Sequence, residues 1–167
     1  MRYDGTDSCA IVVLFRRYCH LLNAEDPLHD NAMGYFRYFL QHDFVIKVST
    51  IAIAEYCVKG EADDLPLKNM QIVPFNFDHA LRAGKMIAEV YAEKKRRGAS
   101  ITPRAVVPND TKMFAQADVE LDINYYGTAD VECKKVYELI KSAEGQLNFN
   151  FIDITIPYTQ YFGLLDF

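Results

Sequence analysis

Acidic residues follow two strand-like segments of the sequence, at the point where each segment gives way to a helix-like one. Asp110 lies in the stretch 106–117, where β-branched residues and a proline lead into a helical run. Asp130 has the corresponding place after the strand-like run 123–126 and the dipeptide Gly127-Thr128. The carboxyl ends of parallel strands form the edge of a sheet at which ligands bind, so we expect these two carboxylates to converge.

Two further carboxylates lie at or near junctions of the same kind. Asp7 precedes a run with apolar residues at helical spacing, and Glu55 lies in the second turn of a helix predicted after residue 49. An aspartate before a helix is equally explained as an N-cap worth about 1 kcal/mol, and this alternative covers Asp7, Asp110 and Asp130. It does not cover Glu55, because the surrounding segment IAIAEYCV is almost uniformly hydrophobic.

Taken together, the carboxylates predict a metal site. In a parallel sheet all of these junctions lie on one edge, and carboxylates gathered in a cleft repel one another unless they hold a cation. All-oxygen ligation favours Mg²⁺ or Mn²⁺, and the Cys and His residues lack the spacing typical of zinc ligands. A metal ion with open water positions activates a water and orients a phosphate, so the expected chemistry is phosphodiester hydrolysis.

The order of the acidic segments resembles that of the PIN domain family. The segments are DSCAIVVLF with Asp7, STIAIAEYCVKG with Glu55, PNDTKMFAQA with Asp110 and YYGTADVECKKV with Asp130. In that family an early Asp, a helical Glu, an Asp before an x-x-x-x-A-x-A helix and a late T-x-D motif form a metal site. The resemblance covers residues 7–154 and implies that these four acids are the catalytic ligands of Mg²⁺ or Mn²⁺. It further implies that Thr128 positions the Asp130 loop through its hydroxyl group.

The same resemblance implies a metal-dependent ribonuclease with RNA as its substrate. In compact bacterial single-domain members it implies the toxin of a toxin–antitoxin pair, and therefore an antitoxin protein as partner. The alternative is a PIN-fold protein that has lost useful metal affinity and binds RNA or protein. Asp4 competes with Asp7 for the first acidic position, because RYDGT is polar where the family has a hydrophobic strand. Glu120 and Asp122 are additional acids without an assigned role.

Composition limits the classes of function. The 167 residues suit one domain, 1–167, and the net charge of −5 argues against binding nucleic acid through overall positive charge. The basic run 94–97 ends a predicted helix, where cations stabilise the helix dipole or contact a phosphate backbone. No apolar run approaches the roughly 18 residues of a membrane helix, and the N-terminal charge order is wrong for a secretory signal. We therefore expect a cytoplasmic protein with no membrane partner.

The elements that must position the acids alternate along the chain. Strands are predicted at 44–49, 71–75, 123–126 and 149–154. Helices are predicted at 8–22 after Asp7, 31–42, from Ser49 or Thr50 to Gly60, from Asp78 to Gly98, and from Asp110 and Asp130. This alternation predicts an α/β fold, a three-layer α/β/α sandwich with a central parallel sheet. The aromatic tail 157–167 should pack on the body, and its apolar surface together with that of AMGYFRYFL predicts a homodimer.

Overall fold

The computed structural model describes residues 12–15, 23–98 and 107–164 of the chain. Within these residues one sheet contains β1 (Val12–Phe15), β2 (Val45–Ser49), β3 (Gln71–Val73), β4 (Ile123–Thr128) and β5 (Asn150–Asp153). All neighbouring pairs are parallel, and the spatial order is β3-β2-β1-β4-β5. The chain builds outward from β1 to β3 and then returns to β4, so the strand order reverses beside β1. Ligands bind at such a reversal in open α/β sheets.

Helices cover both faces of this sheet. In the described part of the chain they are α1 (His29–Gln41), α2 (Thr50–Tyr56), α3 (Phe77–Arg96), α4 (Val107–Val119), α5 (Val131–Glu144) and α6 (Tyr158–Tyr161). Neighbouring side chains of β4 reach opposite layers: the Tyr125 ring lies 6.1 Å from that of Phe162, beside α1 and α6. The Tyr126 ring lies 4.8 Å from that of Phe114 in α4. The predicted three-layer arrangement with a parallel sheet is therefore confirmed.

The central strand β1 contradicts the helix predicted at 8–22. Residues 12–15 pair with β2 on one side, Val12 opposite Val45, and with β4 on the other, Phe15 opposite Gly127. A central parallel strand is covered on both faces, so its sequence is a continuous apolar run that periodicity does not separate from a buried helix. Asp7 and its predicted capping role lie outside the described residues.

The starts of α2 and α3 show which polar residues cap helices. The Ser49 hydroxyl accepts a hydrogen bond from the Ile51 backbone N at 3.0 Å, which confirms the predicted cap, although α2 ends at Tyr56 instead of reaching Gly60. The predicted cap of α3, Asp78, is wrong. Asn76 caps that helix by accepting from the His79 backbone N at 3.0 Å, while His79 Nδ1 accepts from the Asn76 backbone N at 3.1 Å. This reciprocal pair satisfies two N–H groups, which one aspartate two residues later does not.

The starts of α4 and α5 differ in the role of their aspartates. Asp130 is the N-cap of α5, as predicted. Helix α4 begins three residues before Asp110, so Asp110 lies in the first turn and is not the cap; its side chain is fully buried at 0 % exposure. Pro108 explains the earlier start, because the first turn of a helix tolerates a proline that lacks an N–H.

The tail packs on the body, as the sequence predicts. The Phe162 ring stacks on that of Tyr38 in α1 with centroids 4.7 Å apart, and the Tyr35 hydroxyl donates to the Ile156 carbonyl at 2.8 Å. The buried face of α1 consists of Ala32, Tyr35, Phe36 and Phe39. The aromatic surfaces on which the homodimer prediction depended therefore pack against each other within one chain. Among the described helices, none combines the length and the hydrophobicity of a membrane-spanning segment.

Candidate functional site

A side-chain contact joins α2 to α4 above the carboxyl end of β2. Asn109 Nδ2 donates a hydrogen bond to Glu55 Oε1 at 2.9 Å. Asn109 immediately precedes the buried Asp110, so the first turn of α4 meets the acidic side chain of α2. Helix α2 follows β2 directly, and its predicted acid, Glu55, is half-buried there. Two of the predicted site residues therefore belong to helices that touch at this edge of the sheet.

Gln116 fastens α4 to the ends of two strands. The Ser49 hydroxyl at the end of β2 donates to Gln116 Oε1 at 2.5 Å, and Gln116 Nε2 donates to the Val73 carbonyl at the end of β3 at 3.2 Å. The Gln116 side chain is fully buried, so both ends of its amide are satisfied within the protein. Sequence reasoning missed this role. The available signal was a polar amide between two small residues, Ala115 and Ala117.

Asp130 is held at the end of β4 by local hydrogen bonds. Its Oδ1 accepts from the backbone N of Glu132 at 2.9 Å and of Cys133 at 3.4 Å. The Thr128 hydroxyl oxygen accepts from the Asp130 backbone N at 3.1 Å. The carboxylate thus has a capping role in the fold, and Thr128 sets the backbone that carries it.

The described residues do not by themselves form a metal centre. Among residues 23–98 and 107–164 no group of three or more His, Cys, Asp or Glu side chains is placed to hold a metal ion. Glu55, Asp110 and Asp130 offer the oxygen donors that suit Mg²⁺ or Mn²⁺, but a complete site needs a further ligand. The predicted source of that ligand, Asp7 or its competitor Asp4, lies outside the described residues.

The sequence around β1 bears on this missing ligand. Asp7 precedes β1 in the sequence, whereas Arg16 and Arg17 follow its last described residue, Phe15, directly. Asp130 and Glu55, by contrast, come after the strands to which they belong. The sequence directly after Phe15 is therefore basic, and both candidates for the first acid, Asp4 and Asp7, come before β1.

The two acids without an assigned role, Glu120 and Asp122, contact buried side chains: Glu120 accepts a hydrogen bond and Asp122 forms an ion pair. Glu120 Oε1 lies 3.0 Å from Nε2 of the fully buried His79, and Asp122 Oδ2 lies 2.6 Å from Nζ of the buried Lys47. Because His79 Nδ1 accepts a backbone N–H, the ring hydrogen lies on Nε2 and is donated to Glu120. Both acids satisfy buried polar groups of the fold, which is a structural role.

The basic run 94–97 is partly neutralised within its own helix. Glu93 accepts hydrogen bonds from Arg96 Nη2 and Arg97 Nε, both at 2.7 Å. These guanidinium groups lower the pKa of Glu93 to about 2. The contacts favour the structural interpretation of the run over a free phosphate-binding patch.

Comparison with known proteins adds evidence on the fold. No protein-family model matches the sequence. No curated protein matches it significantly. The structure is similar to that of VapBC2 from Rickettsia felis bound to a DNA fragment from their promoter, with a TM-score of 0.52, 17% identity, and coverage of 86% of this chain and 100% of that one. It is also similar to DNA-bound VapBC from Salmonella typhimurium, with a TM-score of 0.50, 12% identity, and coverage of 84% and 98%. At these identities the likeness bears on architecture alone, and it shows that the chain has the fold of a VapC/PIN-like domain.

Proposed function

We propose that the protein is a PIN-type ribonuclease that requires Mg²⁺ or Mn²⁺ and hydrolyses phosphodiester bonds in RNA. The observation that carries the proposal is the hydrogen bond between Asn109 and Glu55. It joins α2, which carries Glu55, to the helix that carries Asp110, at the carboxyl edge of the sheet. The VapC/PIN-like fold supports the same reaction class by analogy.

Each residue has a distinct part in this proposal. Glu55, Asp110 and Asp130, completed by Asp7, would hold the ion, which when bound supplies an activated water and positive charge beside the phosphate. Asn109 orients the Glu55 carboxylate through its amide. Thr128 holds the backbone that presents Asp130. These two positioning residues bring no charge of their own, so their effect is on geometry.

The partners follow from the same analogy. Both similar structures are VapBC complexes, and this supports the proposal that the chain is the toxin of a toxin–antitoxin pair with an antitoxin protein as partner. The homodimer stays a prediction. Its interface must use surfaces other than the contact between α1 and the tail, because that contact is already made within the chain.

A second candidate function is favoured by the sequence beside β1. A PIN-fold module that binds RNA or protein without a metal ion needs no complete set of metal ligands. Arg16 and Arg17 follow β1 in the sequence, and the described residues contain no group of three potential ligands. Basic side chains suit a phosphate backbone as partner.

Substitution of Asp110 distinguishes the two functions. Asp110→Asn should abolish Mn²⁺-dependent RNA cleavage while keeping or raising the melting temperature without metal, because repulsion between carboxylates is relieved. Asp78→Asn is the matched control, since Asp78 is an exposed aspartate in the first turn of α3. Its cleavage should equal that of the parent.

Metal binding provides a separate measurement. Mn²⁺ should raise the melting temperature of the parent, because a ligand that binds the native state stabilises it. Asp7→Asn and Asp4→Asn, measured side by side, identify the first ligand as the variant that loses this shift. A parent that binds RNA but neither cleaves it nor responds to Mn²⁺ has the second function and not the first.

A further inference from the structure

Four charged side chains meet where α3, α4 and α5 converge. Arg82 of α3 donates from Nε to Asp118 Oδ2 of α4 at 2.6 Å and from Nη2 to a carboxylate oxygen of Glu144 in α5. Glu89 lies two turns after Arg82 on the same helix, and its carboxyl group faces that of Glu144. We call the set of Arg82, Glu89, Asp118 and Glu144 the carboxyl clasp. It ties the three helices of one layer together.

The charges within the clasp do not balance when every carboxyl is ionised. Three carboxylates then face one guanidinium group, and no other charged side chain among the described residues raises or lowers the pKa of Glu89 or Glu144. Glu89 Oε2 and Glu144 Oε1 are both buried, and neither has a hydrogen-bond partner in the described part of the chain when both groups act as acceptors. One proton between them turns an acceptor into a donor and satisfies both atoms.

We propose that Glu89 and Glu144 share one proton, and that this proton fastens α3 to α5 in a clasp that loosens as the pH rises past neutrality. Glu89 is the member that carries the proton. Glu144 stays ionised beside Arg82. The proposal is independent of the proposed ribonuclease activity, because none of these residues belongs to the acidic edge of the sheet.

The direction of the pH dependence follows from the pKa shifts. The hydrogen bond to Glu144, burial and the negative charge of Glu144 raise the pKa of Glu89 from 4.5 to about 7. Burial raises the pKa of Glu144, but hydrogen bonds from Glu89 and Arg82 outweigh it and leave that pKa below its ordinary value. A raised folded-state pKa stabilises the protein fully below the unfolded value, so the contribution of Glu89 is lost as the pH rises from 4.5 through about 7.

Loosening of the clasp reaches α4 through Arg82. Asp118 shares that guanidinium group with Glu144, and its Oδ1 also accepts from the Asn148 backbone N at 2.8 Å. An ionised Glu89 repels Glu144 and competes for the same positive charge. The carboxyl end of α4, which is held by Asp118, is therefore the part of that helix expected to respond.

Thermal unfolding at two pH values tests the clasp. The melting temperature of the parent is measured at about pH 5.5 and about pH 8, on either side of the titration. Glu89→Gln should reduce the drop between them, because a glutamine amide donates to Glu144 at both values. Glu138→Gln is the control, since Glu138 is exposed on α5, and its drop should equal that of the parent. If Glu89→Gln keeps the full drop of the parent, the proposal is wrong.

A measurement on the unaltered protein guards against a variant that fails to fold. Carbon-13 NMR of the glutamate carboxyl carbons should show one group with a midpoint near pH 7. Its signal is assigned to Glu89 through correlation with the backbone signals of that residue in the labelled parent. A parent in which every glutamate, Glu89 included, titrates below about pH 5.5 would overturn the shared proton.

Discussion

Asn109 donates a hydrogen bond to Glu55 at 2.9 Å across 54 residues of sequence. The contact joins the first turn of α4 to α2, next to the buried Asp110. It brings the acidic segment of Glu55 and that of Asp110, which are far apart in the sequence, next to each other in space. The donor of this hydrogen bond is the uncharged amide of Asn109. Sequence reasoning assigned a role to Asp110 and none to Asn109 beside it.

Removal of this amide should weaken both the fold and the proposed activity. Asn109→Ala deletes a donor to a half-buried carboxylate, and we expect a loss of about 1 kcal/mol in the free energy of unfolding, the typical net contribution of one hydrogen bond. The melting temperature should fall by about 2–4 °C, and RNA cleavage should fall with it. Asn69→Ala is the control, because Asn69 is exposed at the end of a short 3-10 turn. Equal unfolding curves for the two variants would show that the contact contributes nothing.

The cap of α3 gives a prediction that separates two nearby polar residues. Asn76→Ala removes the side chain that accepts from the His79 backbone N, at an expected cost of about 1 kcal/mol. Asn76→Asp should recover most of that loss, because aspartate caps as well as asparagine does. Asp78→Ala should cost only a few tenths of a kcal/mol, since a charge near the helix dipole contributes about 0.3–1 kcal/mol when exposed. Urea unfolding of the three variants measures this, and a larger loss for Asp78→Ala would restore the original assignment.

The ion pairs at the basic end of α3 predict that the stability of the protein falls at acidic pH. The pKa of Glu93 is lowered from 4.5 to about 2 by hydrogen bonds from Arg96 and Arg97. A depressed folded-state pKa stabilises the protein above the unfolded value, so this contribution is full above 4.5 and is lost as the pH falls toward 2. Glu93→Gln should therefore destabilise the protein at about pH 6 and flatten the further loss between about pH 4.5 and about pH 2.5.

An exposed ion pair supplies the control for this measurement. Glu132 lies 2.6 Å from Lys135 on the surface of α5, and exposed pairs contribute little to stability. Glu132→Gln should follow the parent at each pH when unfolding is measured in urea. An acid dependence in Glu93→Gln as steep as that of the parent would contradict the role of Glu93.

The packing of the tail predicts what aromatic substitutions do to assembly. Phe162 stacks on Tyr38 and also contacts Tyr125 of the sheet. Because Phe162 is only half-buried, Phe162→Ala should cost at most about 3 kcal/mol, where the range for a fully buried phenylalanine begins. The molar mass from light scattering should not change, because these contacts lie within one chain. Leu40→Ala, at an exposed position of α1, is the control and should alter neither quantity. A Phe162→Ala variant that loses a dimer but keeps its stability would make the tail an interface.

The sequence by itself determined the features that depend on neighbours along the chain. Alternating strand and helix periods predicted the α/β sandwich, and Ser49 and Asp130 were recognised as caps because a cap bonds to N–H groups two or three residues away. The same local patterns placed Glu55 and Asp110 near the carboxyl edge of the sheet. That these acids hold a metal ion together with Asp7 stays a prediction, because Asp7 lies outside the described residues.

Only the tertiary structure decided the features that depend on distant parts of the chain. The apolar run at 12–15 became a strand because β2 and β4 lie on its two sides, and isolated periodicity gives no information about such neighbours. Asp122 forms its ion pair with Lys47, which lies 75 residues away in the sequence. Gln116 and the carboxyl clasp likewise join elements far apart in sequence. Burial creates the demand for each of these partners, because a polar group removed from water must find its hydrogen bonds inside the fold.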